Sequence, residues 1–259
     1  MGVLLLGADY YGTLAAARCY GRSGIAVAMA DEDPRARALH SKYVGERLVH
    51  PPLSEPERLV EWLVSWGEAH PGTLLYPPND HLAWLFADRR DVLARAFTTY
   101  GPPEDTILRL LDKKRLHEAC AAVGIDVPVT HALGEAGAEA ALAGELRFPV
   151  LVKPRTQVFL ASGIKGFIAR DRAELTSELA RFRKLVAFHP VLAGKHPEVA
   201  EPMAQEYLTE AETNIFSVSG FVAEDGAFAS RAAMKVLQRP RKVGIGLCFE
   251  GRAPDATLA

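Results

Sequence analysis

Short apolar runs alternate with helix-length amphipathic stretches over the first 76 residues, and this alternation restricts the fold more than any other feature. Val3–Leu6 is apolar and ends at Gly7. Leu14–Ser23 then carries a helical pattern that stops at Gly24. Ile25–Ala30 is a second apolar run closed by Asp31, and Leu48-Val49, Glu55–Glu68 and Thr73–Tyr76 continue the cycle. Strands separated by helices pair in parallel, because each crossover returns the chain to the same end of the sheet. Residues 1–103 therefore read as one open α/β unit that ends near Gly101-Pro102-Pro103.

Two helices are expected next, over Thr106–Leu111 and Lys113–Val123, the second stopped by Gly124 and Pro128. Asp112 between them can cap the second, since its carboxylate can accept from the first-turn amides. Beyond this point the pattern changes. Val150–Lys153 and Gly166–Arg170 read as strands around a glycine-rich turn, and Arg172–Phe188 as a helix. Ala204–Leu208, Asn214–Val222 and Phe228–Leu237 read as further strands, with Glu224-Asp225-Gly226 as a hairpin turn. Residues 104–252 are thus expected to form an α+β region with an antiparallel sheet. Pro190–Pro202 reads as a loop and Ala253–Ala259 as a frayed tail.

A chain of 259 residues with 49% apolar and 24% charged residues has ordinary globular composition. Its net charge of −2 argues against a general nucleic-acid or membrane surface, though a local positive patch remains compatible with it. Cys19, Cys120 and Cys248 are far apart and form no Cys-x-x-Cys pair, which suits reduced, buried thiols. The N-terminus lacks the basic residues of a signal peptide, and Leu6 stands where a myristoylation site needs Ser or Thr. No apolar stretch approaches the roughly 20 residues of a membrane-spanning helix. A cytoplasmic location is the expectation.

Several segments carry candidate chemistry. Gly7-Ala8-Asp9-Tyr10-Tyr11-Gly12 sits where a dinucleotide-binding loop would, and Asp31 mimics its ribose-binding acid. Asp9 spoils the match, because it puts an anion where the backbone should meet a pyrophosphate. An NAD-dependent oxidoreductase is accordingly the weakest alternative. Lys113 and Lys114 open a helix, where surface lysines are commonplace and the macrodipole mildly disfavours them. Lys153 differs: it lies in an apolar strand before Pro154, a costly place for an ammonium unless an anion meets it. In Ser162-Gly163-Ile164-Lys165-Gly166 the glycines let backbone amides approach phosphate oxygens, although a plain hairpin turn fits equally well. Bulky Val158, Phe159 and Leu160 precede that loop where smaller residues are expected. His189 and His196 flank one loop and read as surface residues.

In this order and spacing, Asp112-Lys113, Phe148–Lys153, Ser162–Gly166 and Gln205-Glu206-Tyr207-Leu208 resemble the nucleotide site of the ATP-grasp superfamily, most closely its carboxylate–amine ligases. The resemblance implies a pre-ATP-grasp, Rossmann-like domain over 1–103 and an ATP-grasp region over 104–252. It implies ATP contacts from Lys113, Lys153, Ser162, Gly163 and Gly166, adenine contacts from the hinge Gln205, Glu206, Tyr207 and Leu208, and a ribose contact from Glu212. It implies that a carboxylate is phosphorylated by ATP and that an amine then displaces phosphate. The partners so implied are small-molecule carboxylates and amines. In that family the magnesium-binding acids come from a later strand reading roughly Glu-x-Asn-x-Arg, and no such pattern follows Gly251. Magnesium is therefore expected for the family with no ligands assigned here. The ATP-grasp region is expected to be incomplete, its activity alone doubtful, and its exposed strand edge matched by a homo-oligomer or a completing chain. A non-catalytic nucleotide-binding module is the contrasting alternative.

Overall fold

Leu4, Leu5 and Leu6 are each fully buried, yet they enter two different cores. Strand β1 (Gly2–Leu6) sends Leu4 and Leu6 to one face and Val3 and Leu5 to the other. Such two-sided burial is what an apolar run without alternation encodes in a parallel sheet. Strand β2 (Ala26–Asp31) repeats it, with Ala28 and Ala30 on the first face and Val27 and Met29 on the second. Burying each leucine is worth about 1.5–3 kcal/mol. The computed structural model describes residues 2–134, 146–223, 225–239 and 245–253.

The chain packs as two compact units. The first comprises residues 1–125, 155–162 and 186–200, and the second 126–154, 163–185 and 201–259. In the first unit, β3 (Glu46–Val49) and β4 (Leu74–Tyr76) join β1 and β2 in a parallel sheet of order β3-β2-β1-β4. Helices α1 (Tyr11–Arg22), α2 (Pro56–Ala69), α3 (Asp80–Asp88) and α4 (Arg90–Leu93) belong to the same unit. So do α5 (Glu104–Leu111) and α6 (Lys113–Ala122). The expected parallel α/β arrangement is found. Helix α3 lay unread in the sequence; Asn79 caps it by accepting from Leu82 N at 2.9 Å. Gly124 follows α6 at φ 76, the left-handed position a helix end favours.

In the second unit, β5 (Thr130–Ala132), β6 (Val150–Pro154), β7 (Phe167–Ala169) and β8 (Pro202–Glu206) form an antiparallel sheet of order β5-β8-β6-β7. Helix α7 (Arg172–Leu185) packs on β6 and β7 and buries Leu175, Leu179 and Phe182. A second antiparallel sheet, β11-β10-β9, is made by β9 (Phe216–Val222), β10 (Phe228–Arg239) and β11 (Ile245–Arg252). The expected hairpin joins β9 to β10, closed by Gly226 N donating to Ala223 O at 2.9 Å; Glu224 lies outside the described residues. The expected tail lies outside them too, apart from the exposed Ala253.

Three expectations need correcting. Cys19 and Cys248 are exposed and Cys120 half-buried, so the free thiols are not core residues. Helix α1 turns Thr13 and Ala17 inward, and two residues on from Ala17 the helix has rotated by roughly 200°. The segment Pro190–Pro202 is not a plain loop. It holds α8 (Pro190–Ala193) and a 3₁₀ turn over Pro197–Ala200, and buries Leu192 and Val199 in the first unit's core. For that reason His189 and His196 are half-buried. His189 Nδ1 accepts from Val191 N at 3.1 Å, and a His196 ring nitrogen lies 2.9 Å from a Glu104 carboxylate oxygen.

Candidate functional site

Strand β6 alternates: Val150, Val152 and Pro154 are buried, while Leu151 and Lys153 are half-buried on the other face. Register places Gln205 opposite Leu151 and Met203 opposite Lys153. Lys153 Nζ reaches diagonally and donates to Gln205 Oε1 at 2.6 Å. Gln205 Nε2 donates to Thr130 Oγ1 at 2.9 Å, and that hydroxyl donates to Pro128 O at 2.9 Å. An amide carbonyl thus meets the ammonium that the sequence placed in an apolar strand, and a polar chain crosses three strands on one face. The Gln205 amide that meets it carries no formal charge.

The end of β8 is held by its backbone. Glu206 N donates to Val129 O at 2.9 Å and Tyr207 N to Pro149 O at 3.2 Å. Tyr207 Oη donates to Glu212 Oε1 at 3.0 Å. Burial first, and then the Glu212 hydrogen bond and charge, push the Tyr207 hydroxyl above its usual range. Leu208 is exposed. Two pockets border this segment. One of about 370 Å³ is lined by Val129, Leu146, Arg147, Val150 and Glu206. The other, of about 380 Å³, includes Glu212, Met234, Lys235 and Gln238.

Gly166 has φ 152, and a Cβ there would lie 2.9 Å from Val152 O and 3.1 Å from Lys153 Cβ. The residue must be glycine for the loop to return this close to the lysine-bearing strand. Gly163 is exposed, with open space where a Cβ would go. Sequence reasoning placed Val158, Phe159 and Leu160 beside this loop as misfits. They are instead buried, and Val158 and Phe159 join the first unit's core. Phe159 N donates to His81 Nδ1 at 2.8 Å, and His189 N donates to Phe159 O at 2.9 Å. Ser162 ends that first-unit segment and is exposed.

Lys113 belongs to the first unit and is half-buried. Asp112 caps α6 as expected, accepting from Lys114 N at 2.9 Å and Arg115 N at 3.4 Å. Lys114 pairs with Glu118 at 2.7 Å across one helical turn. Arg155, which the sequence did not single out, forms two hydrogen bonds to Asp112. The available signal was an arginine set in an apolar stretch just after Lys153-Pro154.

At the N-terminal turn, the Asp31 carboxylate accepts from Ala8 N at 2.6 Å and Asp33 N at 2.9 Å. It braces two backbone turns and is 7% exposed, which leaves it badly placed to receive a ribose. Asp9 lies 3.6 Å from the Arg37 guanidinium. Among the described residues no cluster of three or more His, Cys, Asp or Glu side chains fits a metal. Magnesium held with a nucleotide needs only one or two carboxylates beside the phosphates, a smaller set than such a cluster.

No family model matches the sequence. Solved structures do match. An L-amino acid ligase from Bacillus licheniformis superposes with a TM-score of 0.69 at 12% identity, over 98% of this chain and 57% of that one. The biotin carboxylase domain of the Hydrogenobacter thermophilus 2-oxoglutarate carboxylase, solved with MgADP, ADP and bicarbonate, gives 0.67 at 19% identity, over 93% and 52%. N5-carboxyaminoimidazole ribonucleotide synthetase from Thermus thermophilus gives 0.62 at 17% identity, over 90% and 54%. The chain thus spans just over half the length of each of these structures. At such identities the likeness is one of fold, and the ATP-grasp fold expected from the sequence is borne out.

Proposed function

We propose that this chain binds ATP as the nucleotide-binding part of a protein of the ATP-grasp carboxylate–amine ligase type. The observation that carries the reading is the meeting of Lys153 and Gln205 on one sheet face at 2.6 Å, with Gly166 packed against Lys153 Cβ. Three motifs far apart in sequence converge there. Lys153 would take the phosphates, the Gly163–Gly166 turn would offer backbone amides, and Gln205–Leu208 would meet the adenine. Glu212, held by Tyr207, would accept from a ribose hydroxyl. Lys113 and Ser162 retain the roles the resemblance implies, and substitution tests each of them singly. The expected division into residues 1–103 and 104–252 is kept as a proposal about domains, distinct from the packing units.

An ammonium 4 Å from a phosphate oxygen contributes roughly 4 kcal/mol at an effective dielectric near 20. The proposed reaction is phosphoryl transfer followed by acyl transfer. A substrate carboxylate oxygen takes the γ-phosphoryl group and ADP leaves. An amine then forms the C–N bond, losing a proton as inorganic phosphate departs. Positioning and charge neutralisation dominate such chemistry. The carboxylate and amine are proposed to be small molecules.

Calorimetry with ATP, ADP and NAD tests the reading. ATP and ADP should bind and NAD should not, and Lys153→Ala should weaken ATP at least tenfold while Lys114→Ala changes little. Binding of NAD alone would overturn the assignment. Phosphate release with magnesium and a panel of amino acids measures turnover separately.

A further inference from the structure

We propose that Asp112 and Arg155 form a buried clamp that positions the Lys113 ammonium, which makes Arg155 a positioning residue for nucleotide binding. The inference rests on the proposed ATP site and on Lys113 as one of its lysines.

Asp112 is fully buried and Arg155 is 4% exposed. The guanidinium grips the carboxylate with both arms, Nε to Oδ1 at 3.1 Å and Nη2 to Oδ2 at 2.6 Å. Its remaining arm, Nη1, donates to Glu198 O at 3.1 Å. Asp112 is fixed in turn by the two α6 amides that it caps. Arg155 is therefore held at both ends of its fork, and its own carbonyl oxygen is placed with it. That oxygen accepts from Lys113 N at 2.8 Å and from Lys113 Nζ at 3.1 Å. Backbone and ammonium of Lys113 thus converge on one oxygen whose position the ion pair sets.

A buried ion pair is weak evidence for added stability, because desolvation offsets much of its attraction. A registry role accounts better for one placed here. A lysine has four rotatable bonds, and ordering them before a ligand arrives removes part of the entropy that binding would otherwise lose. Lysine cannot replace Arg155 in this arrangement, since it lacks the planar fork that grips Oδ1 and Oδ2 together. The nearby Arg115 guanidinium is engaged with Glu198 Oε1 at 2.7 Å and stays 3.9 Å from Asp112, so it does not duplicate the grip.

The test is ATP affinity, by calorimetry, for the parent protein, Lys113→Ala, Arg155→Lys and the double variant. Each single change should weaken ATP about tenfold, and the double should bind no more weakly than Lys113→Ala, because both remove one held ammonium. Multiplying effects, or parent affinity in a folded Arg155→Lys protein, would overturn the clamp. Parent affinity in Lys113→Ala would overturn the lysine's role and the clamp with it; the ATP site itself is judged independently by Lys153→Ala. Should Arg155→Lys not fold, the parent protein gives the answer after ¹³C-dimethylation of its lysines, with the Lys113 resonance assigned through Lys113→Arg. A held ammonium gives two unequal methyl signals that shift with ATP. One averaged signal indifferent to ATP would overturn the proposal.

Discussion

Replacing Phe159 by glycine should leave the protein more stable than replacing it by alanine, the reverse of the ordinary order. Phe159 is 6% exposed, and its ring centroid lies 5.7 Å from those of His81, Trp84 and His189. Deleting the ring costs about 3–5 kcal/mol, and both variants bear that loss. Both also keep the backbone bonds, Phe159 N to His81 Nδ1 and His189 N to Phe159 O. They differ at the backbone, where residue 159 has φ 52. A Cβ in that left-handed region costs roughly 1–2 kcal/mol, whereas glycine's extra chain freedom costs roughly 0.5–1. Glycine should lead by about 0.5–1 kcal/mol, or about 0.25–0.5 M in urea midpoint at a slope near 2 kcal/mol/M. Tryptophan fluorescence reads the relevant part of the chain, since Trp62, Trp66 and Trp84 all lie in the first unit. An alanine variant as stable as the glycine variant would refute the strain argument. A loss below about 1.5 kcal/mol in both would refute the core role of the ring.

Gly166→Ala should cost about 1–3 kcal/mol and weaken ATP binding, because its Cβ would crowd Val152 O and the Lys153 side chain. Gly163→Ala meets open space and should cost less despite its φ of 63, so equal losses in urea titrations would contradict the packing argument. Burial raises the Glu198 carboxyl, but the Arg115 hydrogen bond and charge, with His196, outweigh it and hold the group below the usual glutamate range. A depressed carboxyl contributes stability above its unfolded pKa and loses it as pH falls through the folded value. Glu198→Gln should therefore lower the melting temperature at pH 7, and the gap should close as pH falls through the depressed folded value; a constant gap would count against this pairing. Phe221, Phe228 and Phe249 are at least half exposed on the β11-β10-β9 sheet. Phe221 and Phe249 share one face of that sheet and Phe228 lies on the other. Exposed apolar side chains invite association, so the Phe221→Lys, Phe249→Lys pair should reduce concentration-dependent light scattering. Parent protein that stays monomeric at high concentration would rule this out.

The sequence by itself determined the order of most strands and helices, though not α3 or the helical turns within Pro190–Pro202, because the signals for these elements are local. The apolar run at Val3–Leu6, the cap at Asp112 and the stop at Gly124 each act within one turn or strand of themselves, and each appears where read. Local signals also marked Lys153, since an ammonium in an apolar strand needs a partner whatever the fold. The identity of that partner was a tertiary matter. Gln205 lies 52 positions along the chain and reaches Lys153 only through the β6–β8 register. Arg155 and Asp112, 43 positions apart, were likewise invisible as a pair. The plainest case is Val158–Leu160. As sequence it is a bulky flaw before a glycine loop. In the fold it belongs to another packing unit, and bulk is what a core requires there. Apolar character says that a residue will be buried. Only the completed chain path decides which core receives it, because burial is non-directional and the path depends on every other segment at once.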